Sequence, residues 1–558
     1  MPPSLLTTPS EILEHVILLA VRDAPHGPPS VLRSLRLSCR TLNEALSVEH
    51  NPHLYLMLFL HSFDISSPNR HLPSSRLSVL ALEQELKMRH IALQCIRRRD
   101  FNHPDLAVIL ATVYIMFLED DGRNQGQVVW ADLVGFLELL LHKRITQDTA
   151  GENAWPLENE VNSLAVALLW FITSHCGLRQ ETQLRQRTID ILSYYAYAGF
   201  RYPCFTEPET MFYLSDKIEL AVSSHGVYPP ARPVSMTIEY FGVQTQFTLP
   251  PIAPFAILSQ FARAEEFPLK VPPELPANRQ EALSRGILLG PTKEDVDHFN
   301  THCNTRLICS RSDDPQVDGY LKSRSHDADW SRSLAGTPPT MSGYYIPGTL
   351  TGYWQGSSMT PFLDVYKSMM SSPEAPSALP FFGRFPLYVH FREYYCYPPT
   401  TPVPVERDGN TFFNAFMPQG CRSYKVENGI EFIGKNNSFR TTYVPLRRPQ
   451  NSPQCSDVQD PSHSGEIRDV IIVGETEEPY ASAWRGYKYV GRVRPSDGLI
   501  VLVREPAEDH TDQLGRALFR GYVISSCNFV GRWRSISVGE QPAEWESIFS
   551  MSKLAATP

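Results

Sequence analysis

Apolar residues recur every three or four positions in the N-terminal part of the chain and alternate with polar ones in the C-terminal part. That pattern predicts helices first and strands afterwards. Behind Pro9, the residues Ile12, Val16 and Leu19 share one helical face while Leu13, Ile17 and Ala20 lie beside it, with Ser10 placed to cap the helix. The turn signal Ala24-Pro25-His26-Gly27-Pro28-Pro29 separates this helix from a second over Val31–Leu42 and a third, short one ending in Leu54-Tyr55. From about 77 to 215 the helical pattern continues through Leu77–Leu86, Asp132–Leu141 and Val161–Thr173, and Gly199, Pro203 and Pro208 punctuate its end.

Residues 225–345 are mixed. Thr237–Leu249 alternates like a strand, Phe255–Phe261 reads as helix behind Pro254, and Pro272–Pro276 is a rigid connection. After 346 the texture is β: Thr349–Gln355, Leu387–Tyr397, Ile430–Ile433, Arg440–Val444, Val470–Val473, Leu499–Val503, Ala517–Ile524 and Phe529–Arg534 are short, aromatic and β-branched. Strands without intervening helices predict an antiparallel barrel or sandwich. Asp497-Gly498 is the strongest hairpin signal, and the polar, Pro/Ser-rich stretch Pro449–Ser464 predicts a flexible loop. The fold class expected is thus α+β and multidomain, with units at 1–64, 65–224, 225–345 and 346–545.

Length supports several units, because 558 residues exceed what one hydrophobic core organises. The net charge of −9 argues against a general nucleic-acid or membrane-surface binder, which needs a basic face. Leu106–Leu118 and Leu164–Ile172 fall short of the roughly 20 apolar residues that span a bilayer, and the N-terminus lacks a secretory signal. An intracellular protein of cytoplasm or nucleus is expected. Ten cysteines scattered from Cys39 to Cys527 with no CxxC spacing predict reduced thiols rather than a disulfide framework or zinc site.

The N-terminal order resembles the F-box. The family pattern Pro-x-Glu-Ile-Leu, then Leu-x-x-Val-Ser/Cys-Arg-x-Trp, then a terminal Leu-Trp is set beside Pro9, Glu11, Ile12 and Leu13, then Leu35, Ser38, Cys39, Arg40 and Leu42, and then Leu54-Tyr55. Thr8 and Leu42 replace a usual Leu and Trp, and the proline-rich turn lengthens the gap. The resemblance implies that Pro9, Ile12, Leu13, Val16, Leu35, Cys39 and Leu42 dock a Skp-type adaptor linked to a cullin–RING ubiquitin ligase. About 45 residues in three short helices cannot bury all their own leucines, so a partner would complete the core. The alternative is that these helices are the first hairpin of the helical domain.

At the other end, Gly352-Tyr353-Trp354-Gln355, Ile471–Thr476, the run Ala483–Leu502 with Trp484, and Gly531-Arg532-Trp533-Arg534 resemble the lipocalin-like barrel domain of fungal and animal F-box proteins. That resemblance implies a first-strand Gly352 and Trp354, with Arg532 or Arg534 packed over the indole by cation–π attraction. Lys488, Arg492 and Arg494 share one strand face, a basic strip able to meet a carboxylate-bearing target, or else a solvated barrel exterior.

Other clusters carry less chemistry. His298 and His302, with Cys303 and Cys309, lack the glutamate of a metalloprotease motif. Glu119-Asp120-Asp121 lacks calcium-loop spacing and reads as a helix-ending turn, and His326–Trp330 reads as a polar loop anchored by Trp330. No phosphate-binding or nucleophile-elbow motif occurs. No catalytic residue, metal or cofactor is expected. The two resemblances together imply a non-catalytic substrate receptor whose barrel reads a target peptide. The alternatives are a small-molecule-binding barrel and, with least support, a barrel enzyme.

Overall fold

The computed structural model describes residues 8–149, 155–174, 177–178, 181, 184–205, 208–213, 222–223, 226–227, 235–303, 321–334, 344–372, 381–405, 409–447, 467–507, 515–536 and 545–554. The predicted Pro449–Ser464 loop lies outside them.

The architecture is α+β: a helical body built from the N-terminal part, then a closed antiparallel barrel. Four helices open the chain: α1 (Ser10–Asp23), α2 (Ser30–Ser38), α3 (Arg40–Ala45) and α4 (Pro52–Ser62). Then come α5 (Val79–Arg97), α6 (Leu106–Leu118), α7 (Arg123–Trp130), α8 (Leu133–Thr149), α9 (Glu160–Ile172) and α10 (Leu184–Tyr197). Local chemistry sets several starts: Ser78 caps α5 by accepting from Ala81 N–H at 3.3 Å, and Asn159 caps α9 at 2.9 Å. Apolar on nearly every side, α6 is buried at the centre of the body.

The described residues 8–64 do not stand apart. Leu54, Leu58, Phe59 and Phe63, in and just after α4, belong to the same core as α5 and α6. A buried ionic cluster locks them together: Arg89 donates to Glu85 at 2.9 Å and Glu119 at 2.6 Å, under the rings of Phe59 and Phe63. The proline-rich turn is docked, not free. Gly27 N–H donates to Gln127 at 2.7 Å, and Gln127 returns a hydrogen bond to the Pro25 carbonyl at 2.8 Å.

The mixed region serves the helical body. The hairpin β1 (Ser235–Tyr240) and β2 (Val243–Thr248) inserts its turn there, Phe241 N–H donating to Glu85 at 3.1 Å. Helix α11 (Ile252–Glu265), buried all round, packs on α9 and α10 and also against the barrel wall. Helix α12 (Lys293–Cys303) follows. The predicted loop at His326–Trp330 is instead a 3-10 turn leading into helix α13 (Asp327–Leu334). Asp327 accepts from Arg70 at 2.7 Å and His71 at 2.9 Å there, while Asp329 accepts from Ser525 N–H at 2.8 Å, so α13 ties body to barrel. Burial opposes the Asp327 charge, yet the His71 and Arg70 hydrogen bonds hold its carboxyl below the usual range.

The barrel comprises β3 (Gly352–Pro361), β4 (Phe381–Cys396), β8 (Asp469–Glu475), β9 (Tyr487–Val493), β10 (Ile500–Pro506), β11 (Ala517–Ile524), β12 (Asn528–Ser535) and β13 (Ser547–Lys553). Inserted between β4 and β8 is a three-stranded sheet of β5 (Arg422–Val426), β6 (Gly429–Ile433) and β7 (Arg440–Tyr443). The barrel order is β3-β4-β8-β9-β10-β11-β12-β13, each strand antiparallel to its neighbours, with β13 closing on β3. The barrel therefore runs to Lys553, beyond the expected limit of 545. Gly521 and Gly531 face each other in register, and a Cβ on Gly531 would stand 1.9 Å from the Arg520 carbonyl oxygen, so the wall curls only because both are glycine.

Alternating residues fill the interior. Phe391, Tyr489, Phe519, Phe529, Trp533 and Phe549 meet ring to ring at 4.9–6.3 Å, mostly edge to face. Arg504 plugs one end, its guanidinium 4.2 Å from the Tyr487 ring and 5.5 Å from that of Trp533. Trp354 closes the other, Nε1 donating to the Leu350 carbonyl at 2.7 Å. Lys553, in register with Trp354, donates there to the Gly348 and Thr349 carbonyls at 3.2 and 2.9 Å. Gly352 takes φ +129° beside the Lys553 side chain, a conformation that suits glycine.

The expected arginine over Trp354 is corrected. Arg532 and Arg534 project outward from β12, toward the helical body. Arg532 donates to the carbonyls of Tyr195, Ala196 and Tyr202 at 2.6–3.2 Å, neutralising the negative end of α10. Arg534 lies 5.2 Å from the Phe413 ring. Trp484 is likewise outside the barrel, in a short helix (Tyr480–Trp484) where it packs with Phe299 of α12 and Tyr388 of β4.

Candidate functional site

Two surfaces carry the sequence-predicted residues. The first is the outward face of α1. Leu13, Ile17 and Val21, four apart, turn into the core, which leaves the neighbouring stripe of Ile12, Val16 and Leu19 to solvent at 54%, 47% and 46% exposure. Pro9 is also exposed, and Leu37 on α2 stands 75% exposed. Ser10 does not cap. It is the first helical residue, with its hydroxyl on Glu11, and no side chain caps α1.

Not every expected docking residue is available. Leu13 and Leu42 are core residues, because the helical repeat that exposes Ile12 and Val16 points them inward. Leu35 and Cys39 are half-buried, and Cys39 does local work, its sulphur accepting from Leu42 N–H at 3.5 Å to start α3. The frame behind the stripe is held by Tyr55, which donates to the Leu46 carbonyl at 2.9 Å and accepts from Arg36 at 3.0 Å. Burial pushes the Tyr55 phenol pKa up. What remains for a partner is a narrow apolar stripe, Ile12, Val16 and Leu19, with Pro9 at its start.

The second surface is the β9 wall, where the basic strip was expected. Lys488, Arg492 and Arg494 do share the outward side, but the body covers two of them. Arg492 is fully buried, its Nε 2.9 Å from both Asp469 oxygens, with Nη2 donating to the Val403 carbonyl at 2.7 Å and the guanidinium over the Phe212 ring. Arg494 is fully buried too. It grips Asp497 at 2.8 and 2.6 Å and donates to the Met211 carbonyl at 2.7 Å. Lys488 alone is exposed, and its strand neighbours in register are Glu475 and Glu505. No basic strip is presented. These arginines instead pin the barrel to the segments that cross it.

The Asp497-Gly498 turn does join β9 to β10. Gly498 holds φ +75°, and a Cβ there would meet the Tyr344 carbonyl oxygen at 2.6 Å. Asp497, buried within the turn, accepts from Tyr522 at 2.5 Å and Leu499 N–H at 3.1 Å besides Arg494. Burial alone would raise its pKa, but the Arg494 guanidinium outweighs this and holds the carboxyl below its ordinary range.

The remaining clusters are structural. Asp120 accepts from Gly122 and Gln125 N–H at 3.0 and 2.8 Å at the start of α7, as a helix-ending turn should, and holds Lys322 at 2.8 Å. His298 lies in α12 near the Tyr480 ring, while Cys309 is outside the described residues. Among the described residues, no three histidine, cysteine or acidic side chains are grouped to hold a metal, and no helix is long and apolar enough to cross a membrane. Arg504 was missed as the barrel plug, although its place two residues after Leu502, itself two after Ile500, marks it as inward-facing. No family model, curated protein or solved structure matches this chain.

Proposed function

We propose that this chain is a non-catalytic substrate receptor of a cullin–RING ubiquitin ligase, working inside the cell. The helices α1–α4 dock a Skp-type adaptor, the helical body sets distance and orientation, and the barrel end holds the target near the ligase. Chemistry belongs to the partner subunits; this chain supplies proximity, which raises the local concentration of target lysines. The observation that carries the reading is the solvent-exposed stripe Ile12, Val16 and Leu19 on a helix whose other face is fully committed to the core. Covering three half-exposed aliphatic side chains is worth about 1 kcal/mol each, a useful anchor for a small interface.

The barrel suits a reader of protein surfaces better than a carrier of an apolar ligand, because aromatic rings occupy its interior and Arg504 and Trp354 close its ends. Recognition then falls to the outer wall and its inserted sheet. Co-purification of the full chain with a Skp-type adaptor tests the proposal. A stoichiometric complex is expected, and a chain that elutes alone at micromolar concentrations of both would overturn it.

A further inference from the structure

The inserted sheet β5–β7 leans on the outer wall of β4 and leaves a groove of about 580 Å³ between them, lined by Arg392, Lys425, Val426, Val444, Leu446 and Arg447 among others. That volume is in the range of roughly 300–1,000 Å³ typical of ligand clefts. Its floor is apolar: Val426 and Leu446 are 39% and 41% exposed, and Val444 is half-buried where it bridges to Tyr395. Its rim is basic. Arg392 at the back is already held by Glu475 at 2.6 Å and Glu477 at 2.9 Å. Lys425 and Arg447 have no acidic partner among the described residues. The Arg447 guanidinium rests 4.6 Å from the Tyr397 ring, which positions it while leaving its N–H fork for a carboxylate. Against these three cations the described lining residues carry one carboxylate, Glu427 at the hairpin tip, on a chain whose overall charge is −9.

The inserted sheet that bounds the groove also has an open edge on its far side. Among the described residues strand β5 pairs with β6 alone, and all five of its residues are exposed. Free strand edges are commonly shielded in monomers, and an open one accepts an extended chain by backbone pairing.

We propose that this groove is where the target is read, and that it takes an extended segment with alternating apolar and anionic side chains. The anionic groups (aspartate, glutamate or phosphoserine) pair with Lys425 and Arg447, and an apolar side chain settles on Val426, Val444 and Leu446. This assignment rests on the receptor reading for its role, and it moves recognition from the β9 wall to the inserted sheet.

The test is fluorescence anisotropy of the full chain with labelled octapeptides alternating leucine with glutamate, leucine with phosphoserine, and leucine with lysine. Either anionic probe is expected to bind and the lysine probe to fail, the better of the two identifying the source of the charge. Lys425→Glu with Arg447→Glu, both at the surface, should weaken binding at least tenfold while circular dichroism stays unchanged. No binding of either anionic probe, or binding indifferent to the double reversal, would overturn the groove. Adaptor co-purification is scored on the same samples. Adaptor binding without peptide binding removes the groove alone, whereas peptide binding without adaptor binding upholds the groove and removes the ligase role.

Discussion

Replacing Arg494 by alanine should destabilise the chain by about 3–5 kcal/mol near neutral pH, the cost expected when one partner of a buried ion pair is removed. Its side chain is fully inaccessible and that of Asp497 is 8% exposed, so solvent screens the pair very little. Among the described residues the truncation leaves the Asp497 carboxylate with Tyr522 and Leu499 N–H as donors, and it takes a donor from the Met211 carbonyl. Against a total stability of about 5–15 kcal/mol for a typical domain, this is a large fraction. Urea denaturation followed by tryptophan fluorescence and circular dichroism measures it. The pH dependence carries the sharper test. With its pKa depressed in the wild type, Asp497 contributes stability above its unfolded value of about 3.9, lost only as pH falls through the lower folded value. Without the guanidinium, burial dominates and the folded value rises above the unfolded one. The residue then favours folding only below that range, and its support fades as pH rises through the folded value. The deficit of the variant should therefore shrink on going from pH 7 to pH 5, and Asp497→Ala added to Arg494→Ala should recover part of the loss. A deficit under about 1 kcal/mol, or one constant with pH, would refute the assignment of Arg494 as the counter-ion that Asp497 requires.

Two other outcomes follow from burial. Desolvation pushes the His90 pKa down to about 4; a depressed folded value gives stability above the unfolded pKa of about 6.5 that drains as pH falls, about 2 kcal/mol by pH 5. His90→Gln should flatten that slope in urea titrations at pH 7 and 5, and an unchanged slope would assign it to other groups. Burial also raises the Cys95, Cys204 and Cys396 thiols to about 11, so iodoacetamide at pH 8 should leave all three unmodified by mass spectrometry until the chain is denatured. Rapid native labelling of any of them would place that thiol at the surface.

Much of the fold was legible because it is periodic. The four-residue spacing in α1 separates Ile12 and Val16 from Leu13 and Ile17, and the structure honours that division. The alternation at Ile500, Leu502 and Arg504, and the Asp497-Gly498 turn, foretell strands and a hairpin. What periodicity cannot give is the identity of whatever covers a face. Lys488, Arg492 and Arg494 are on one side of β9 as read, but only packing of Val403, Met211 and Phe212 against that side turns two of them into buried ties. Arg532 fails the same way, since the carbonyl ends of α10 that it caps are over 300 residues away in sequence. The last strand, Ser547–Lys553, escaped because Ser547, Ser550 and Ser552 are interspersed with Ile548, Phe549 and Met551 and blunt its apolar signal. Within 225–345 the helix α11 serves two neighbours at once, facing both the helices and the barrel, which blurs its sequence signal.

The most direct measurement is affinity for a purified Skp-type adaptor, by calorimetry, of the wild type beside Ile12→Lys/Val16→Lys. Both positions are exposed, so the variant should keep wild-type circular dichroism and urea midpoint. Burying two unpaired ammonium groups in an interface should weaken binding by roughly 100-fold or more. Micromolar or tighter wild-type binding that collapses in the folded variant is the predicted result. Absent wild-type binding, or equal binding by both proteins, would contradict the receptor assignment.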